Sequence, residues 1–176
     1  MTVEQCKEQV LRYLDEVGVT DYDERIYPLI SEAQTEIATQ WGFIRKKKML
    51  KAKDGQTVAL PADCFAVDKV IGGTFELDPM DEEGTPGITL SGSETEIYSL
   101  VYKAYPDEIG EGDGAKELQL PREYHPARCI LAAANVQLAE NNKQNYQLLL
   151  ERYNEQMAMV ERAKTLNGKV RVVVNG

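Results

Sequence analysis

The residues whose side chains could carry out chemistry are few and far apart in this sequence. The only histidine is His125. There are three cysteines, Cys6, Cys64 and Cys129, and no two of them form a Cys-x-x-Cys motif. A zinc site would need these thiols to converge with His125, and a catalytic dyad would need Cys64 or Cys129 beside it. No spacing favours either arrangement. An odd cysteine count without a secretion signal is typical of reduced, structural thiols in a cytosol.

Motifs for phosphate binding and for an activated serine are missing. The sequence contains no G-x-x-x-x-G-K-[ST], G-x-G-x-x-G or G-x-S-x-G pattern, which are the signatures of phosphate-cradling loops and nucleophile elbows. We therefore predict a protein that is not an enzyme and that uses no metal and no cofactor. A thiol enzyme that depends on Cys64 or Cys129 stays as a less favoured alternative.

Two acidic segments, 76–83 and 107–114, suggest calcium binding at first inspection. Neither matches the alternating oxygen ligands of an EF-hand loop, since Ile109 lies where the second ligand would have to be. We interpret both as solvated loops and leave weak, unspecific binding of divalent cations open. Their candidate residues for a functional surface are Asp78, Asp81, Glu82, Glu83, Asp107, Glu108, Glu111 and Asp113.

The charge balance is acidic, with one basic exception. The 176 residues carry 29 acidic and 20 basic side chains, a net charge of −9, which makes most of the surface unfavourable for nucleic-acid phosphates. The exception is Arg45, Lys46, Lys47 and Lys48, whose side chains alternate between two faces if this segment is a strand. We interpret this basic segment in one of two ways. It is an edge strand whose lysines prevent pairing with other strands, or it contacts an acidic neighbour, such as another copy of the chain. Nucleic acid is less favoured because no aromatic residues are interleaved.

Helical spacing of apolar residues predicts four helices, at about 3–17, 23–41, 124–140 and 143–165. Thr2 and Gln5 form a capping-box pattern before the first. Residues 129–136 are apolar nearly all round, which predicts a central helix covered on several sides. The last two helices should pack as an antiparallel pair because the loop between them is short.

The segment between the helix pairs, about 43–104, has strand patterns. Asp54-Gly55 predicts the turn of one hairpin and Gly92-Ser93 the turn of another. Residues 65–73 predict a further strand ended by two glycines, and 74–87 predict an acidic loop. In the last strand Tyr98, Leu100, Tyr102 and Ala104 share one face, and Ile97, Ser99, Val101 and Lys103 share the other.

The predicted fold is α+β and mainly α: a helical bundle of about four helices with a small inserted antiparallel β module and a C-terminal β-prone tail. Residues 1–166 form a single domain and 167–176 an extended tail. The tail has no local partner strand, so we expect it to pair with another chain, through Val170, Arg171, Val172, Val173 and Val174. No apolar run is long enough to span a membrane.

The order of several short motifs resembles head–tail connector (adaptor) proteins of tailed bacteriophages. The helix "LISEAQTEIATQWGF" is followed by Leu60-Pro61-Ala62-Asp63, then by the strand from Tyr98 to Pro106, then by Leu120-Pro121 leading into an alanine-rich helix through Ala134. The resemblance covers roughly residues 25–160. Pro126 at the helix start and Cys64 in place of an aromatic or aliphatic residue depart from the family pattern.

The resemblance implies a virion structural protein that assembles in the host bacterial cytoplasm. Such proteins form a ring of about a dozen copies beneath the portal protein, extend the DNA channel and dock a tail or head-completion protein. DNA passes through without sequence-specific binding, and no membrane is involved. The acidic segments would line the lumen or a partner-facing rim. The alternative is a non-enzymatic oligomerising or peptide-binding bacterial module.

Overall fold

The computed structural model describes residues 1–15, 23–78 and 86–169. This part of the chain divides into two compact units, a helical unit (Met1–Ile37 with Asp107–Gly176) and a β unit (Ala38–Pro106). The helices are α1 (Val3–Tyr13), α2 (Asp23–Trp41), α3 (His125–Ala139) and α4 (Lys143–Lys169). The strands are β1 (Arg45–Lys51), β2 (Gln56–Ala59), β3 (Cys64–Ile71), β4 (Thr74–Asp78), β5 (Gly87–Ser91) and β6 (Ile97–Ala104). Among the described residues, no helix combines the length and the apolar content needed to cross a bilayer.

Helix α1 begins as its sequence predicts. Thr2 Oγ1 accepts a hydrogen bond from the Gln5 backbone N–H, and Gln5 Oε1 accepts one from the Thr2 N–H, so two otherwise unpaired donors are satisfied. The helix was expected to reach residue 17 but ends at Tyr13, where Asp15 has a φ of 57°. A left-handed residue stops the helical hydrogen-bond ladder. Residues 16 and 17 lie outside the described residues.

Helix α3 is the centre of the helical unit, as the apolar segment 129–136 predicted. Eleven of its 15 residues are buried, and it packs against both α1 and α4. Lys164, near the end of α4, hydrogen-bonds to the hydroxyl of Tyr124 just before α3. The two helices therefore run antiparallel, as predicted.

Helix α4 is longer than its apolar pattern predicted. It continues to Lys169, so residues 167–169 are helical and do not belong to an extended tail. The tail residues for which we expected strand pairing, 170–174, lie outside the described residues.

The prediction of a helical bundle with only a small β module is wrong. The β unit contains two three-stranded antiparallel sheets in the orders β1-β6-β3 and β2-β5-β4. Its strands share a hydrophobic core of their own, formed by Ala52, Ile88, Leu90, Tyr98, Leu100, Tyr102 and Ala104. Because six strands bury side chains from both sheets against each other, this part of the chain is a compact unit in its own right.

Both predicted hairpins are also wrong, although their strands exist. β1 pairs with β6 and β2 pairs with β5, so Asp54-Gly55 carries the chain from one sheet to the other. The predicted loop 74–87 likewise begins with strand β4, whose Phe75 packs against the core. A turn sequence fixes where the chain bends, but the apolar faces that must be buried decide which strands pair.

Gly73, at the passage from β3 to β4, occupies a position where no side chain fits. An ideal Cβ there would lie 2.3 Å from the carbonyl oxygen of Ser91 and 2.6 Å from Cε1 of Tyr98. The close approach of the two sheets at this point therefore requires glycine.

Candidate functional site

The outer face of the β1-β6-β3 sheet is the candidate site. In β6, Tyr98, Leu100, Tyr102 and Ala104 are buried in the core, so Ile97, Ser99, Val101 and Lys103 point away from it, as the alternation predicted. Residues directly opposite each other in paired strands share a face. The register with β1 and β3 therefore identifies the paired residues on this outer surface; Phe65 and Asp68, at the irregularities of β3, have no such partner.

Five basic residues lie on this face, and we call them the basic face: Arg45, Lys47, Lys51, Lys69 and Lys103. Arg45 is opposite Lys103, and Val101 has Lys47 on one side and Lys69 on the other. Arg45 also forms an ion pair with a residue outside this set, since its Nε lies 3.8 Å from Asp68 Oδ2. Like charges at opposite positions of paired strands repel each other and destabilise the sheet. We therefore interpret the cluster as a surface for contact with another molecule.

An apolar strip continues the basic face along the same sheet. Met49, Ile71 and Ile97 are 61%, 48% and 47% exposed. Met49 and Ile71 both lie opposite Ser99, on its two sides, and Ile97 lies opposite Lys51. Exposed apolar side chains next to a charged cluster are typical of a surface that a protein partner covers.

Lys46 and Lys48 lie on the other face of β1, opposite Tyr102 and Leu100. Lys46 Nζ is 2.7 Å from Asp63 Oδ2, and the Tyr102 hydroxyl donates to Asp63 Oδ1 at 3.2 Å. The Lys46 ammonium, with the Tyr102 hydroxyl, holds the pKa of Asp63 below its usual range. Lys46 thus stabilises the β unit locally and is not part of the basic face.

Replacing Lys46 with methionine should raise the pKa of Asp63 toward the value of an unpaired aspartate, because its main charge partner is lost. Since the pairing lowers the folded-state pKa, its stabilisation is present at neutral pH and disappears as pH falls through that pKa. Carboxyl-carbon NMR titration measures the shift. Lys47→Met is the matched control and should leave Asp63 unchanged; equal effects of the two substitutions would contradict this geometry.

The acidic candidates lie in separate places. Asp78, at the end of β4, accepts hydrogen bonds from the hydroxyls of Thr89 and Thr57, which lower its pKa. It is therefore held within the β2-β5-β4 sheet. Asp81, Glu82 and Glu83 lie outside the described residues.

The other four acidic candidates belong to the helical unit. Asp107 accepts from the Gln119 side chain at 2.8 Å. Asp113 accepts from the Gly110 N–H at 3.0 Å and is 2.7 Å from Lys116 Nζ; the lysine contact lowers its pKa most. Glu108 and Glu111 are exposed. Two of these carboxylates thus shape the loop, and two face solvent.

An acidic cleft of about 600 Å³ opens in the helical unit. Glu32 and Glu36 line it from successive turns of α2, and Glu108 lines it from the following loop. Ile109 also lines it, and its N–H donates to Ser31 Oγ at 3.1 Å. The cleft therefore combines three carboxylates with apolar side chains, and its charge is opposite to that of the basic face.

The histidine and the thiols are placed in different surroundings. His125 Nε2 is 2.9 Å from the Leu120 carbonyl oxygen, and burial lowers the pKa of the ring. Cys64 is half-buried on β3, and burial raises its pKa. Cys129 contacts Cys6 at 3.1 Å. Across the described ranges, no three His, Cys, Asp or Glu side chains are grouped to hold a metal ion.

Sequence reasoning found two of the five residues on the basic face, Arg45 and Lys47, and missed the other three. Lys69 and Lys103 are distant in sequence and join the cluster only through strand pairing. The alternation in β6 gave the outward direction of Lys103, but the predicted hairpins hid its neighbours. The contact between Cys6 and Cys129 was also missed, because the two residues lie on different helices and are 123 positions apart.

The sequence was compared with models of protein families and with curated proteins, and neither comparison gives a match.

Proposed function

We propose that this chain is a structural assembly subunit without catalytic activity, whose basic face docks against an acidic partner. The observation that supports it is the concentration of five basic side chains and an apolar strip on one exposed sheet of a chain with net charge −9. A surface of this kind steers and orients an acidic partner, and its apolar part supplies area to bury.

The partner with the best charge match in this chain is a second copy. The helical unit carries 12 basic and 19 acidic residues, and the β unit carries 8 and 10. The acidic cleft, with Glu32, Glu36 and Glu108, complements the basic face of another copy. Contact between two different surfaces is heterologous, and repeated heterologous contacts close into a ring when the rotation between copies permits.

Within this proposal, the role that fits the sequence motifs is that of a head–tail connector of a tailed bacteriophage. The ring would extend a DNA channel between the portal protein and a tail or head-completion protein. Asp63 belongs to the Leu-Pro-x-Asp motif, and its contacts with Lys46 and Tyr102 link β1 and β6. This motif residue therefore stabilises the sheet that carries the basic face, which supports the proposal. Exposed acids such as Glu111 would face the lumen or a partner and repel passing DNA.

Native mass spectrometry tests the proposal. The chain is measured alone and mixed with the portal protein encoded nearest to it, each over a range of concentration and salt. We expect a closed oligomer of one discrete copy number that dissociates as salt rises, because added ions screen the contact between the charged surfaces. A single chain under every condition, both alone and with the portal protein, would overturn it.

A further inference from the structure

Two buried thiols from different helices are almost in bonding contact. Cys6 Sγ on α1 lies 3.1 Å from Cys129 Sγ on α3, and both residues are fully buried. This separation is only about 1 Å longer than a disulfide bond. Met1 Sδ lies 3.8 Å from Cys129 Sγ and is the most exposed member of this sulfur cluster.

A buried positive charge lies close to the pair. Arg128 is 0% exposed; its Nε donates to the Ile30 carbonyl oxygen and its Nη1 to Gln34 Oε1, both uncharged. Its Nη2 has no hydrogen-bond partner among the described residues. A buried cation is stabilised by an anion nearby. Burial lowers the pKa of Arg128, and negative charge on Cys6 or Cys129 opposes that shift.

The two thiols differ in how readily they ionise. The contact with the Cys129 thiol lowers the pKa of Cys6 most; burial opposes this shift, and the Arg128 charge adds to it. The same contact and burial raise the pKa of Cys129. These opposite directions make Cys6 the attacking thiol of the pair, since the thiolate is the nucleophile in thiol–disulfide exchange.

We propose that Cys6 and Cys129 are a redox pair that closes to a reversible disulfide between α1 and α3. The oxidant is a small-molecule disulfide such as oxidised glutathione. The Cys6 thiolate attacks one of its sulfurs and forms a mixed disulfide, and a first glutathione thiolate leaves. Cys129 then loses its proton to that thiolate, attacks the Cys6 sulfur and releases the second glutathione. Two electrons pass from the protein thiols to the oxidant.

Access to the buried pair requires local opening of the N-terminal segment. Backbone hydrogen bonds hold it in place, from Val3 N–H to the Lys116 oxygen at 2.9 Å and from Leu118 N–H to the Met1 oxygen at 3.1 Å. Terminal segments open at lower free energy than the whole fold. The first exchange step is therefore slow in the native state, and closure of the disulfide is fast once Cys6 has reacted.

The experiment treats the native chain with oxidised glutathione and maps disulfides by mass spectrometry after blocking free thiols. We expect a loss of two hydrogen atoms in mass and one cross-linked peptide pair joining Cys6 to Cys129. The same pair should form in a Cys64→Ser variant. Because the bond closes a loop between residues 123 positions apart, the oxidised chain should melt about 10 °C higher.

Cys64 serves as the internal control, since it is half-buried and has no neighbouring thiol within the described residues. Glutathione attached to Cys64 while Cys6 and Cys129 remain free thiols would overturn the proposal. So would a cross-link that forms only after the chain is unfolded in denaturant. Cys6→Ser must abolish the cross-link, and a persisting bond to Cys129 would mean that another thiol is its partner.

Discussion

Replacing Lys47 and Lys69 together with glutamate is expected to weaken assembly of the chain by about 100-fold or more. Both side chains lie on the basic face, one on each side of Val101. The change converts attraction toward the acidic cleft into repulsion, and like charges brought together at an interface cost several kcal/mol. Native mass spectrometry or sedimentation velocity measures the loss of the oligomer.

A reciprocal exchange makes this prediction specific. Glu32→Lys with Glu36→Lys on the acidic cleft should also prevent assembly, and combining both pairs in one chain should restore it, since each surface then carries the opposite charge. Lys48→Glu, on the other face of β1, is the matched control and should leave assembly unchanged. Failure of the double exchange to restore the oligomer, although each variant is folded, would contradict contact between the basic face and the acidic cleft.

Gly73→Ala is expected to lower the free energy of unfolding by about 2–3 kcal/mol, the upper range for overpacking a tight site. The added methyl group would meet the Ser91 carbonyl oxygen and the Tyr98 ring. Because Ser91 belongs to one sheet and Tyr98 to the other, relief requires the two sheets to separate. Denaturant unfolding followed by circular dichroism measures the change.

Gly110→Ala provides the control for this substitution. An added Cβ there has open space within 4 Å, so we expect a change of less than about 0.5 kcal/mol. Equal stability losses in the two variants would indicate an effect of backbone freedom alone and would contradict close packing at Gly73.

The helices were predictable because their signals are local. The capping residues Thr2 and Gln5 and the apolar stripe of α1 act within a few turns, and α2 begins and ends as predicted. The errors fall at the ends, where α1 stops at a left-handed Asp15 and α4 continues past its last predicted turn. Local patterns do not encode how far a helix continues once its buried face is complete.

The sheets were not predictable in the same way, because strand pairing is decided by residues far apart in sequence. Each strand in the two predicted hairpins was recognised, yet β6 pairs with β1 and β3, about 50 and 30 residues before it. The acidic composition after Phe75 also hid β4. Consequently the alternation identified which residues of β6 face outward, but the basic face became visible only with the pairing.

The first and last strands of the β unit, β1 and β6, are neighbours in one sheet, and the Ala104 N–H bonds to the Ile44 carbonyl oxygen at 2.9 Å. The points where the chain enters and leaves this unit are therefore side by side. Closely spaced ends are typical of insertions that can be exchanged for a short linker or for a different insert without separating the flanking segments. Exchange of this insertion would replace the basic face and leave the sequence of the flanking helical segments unchanged.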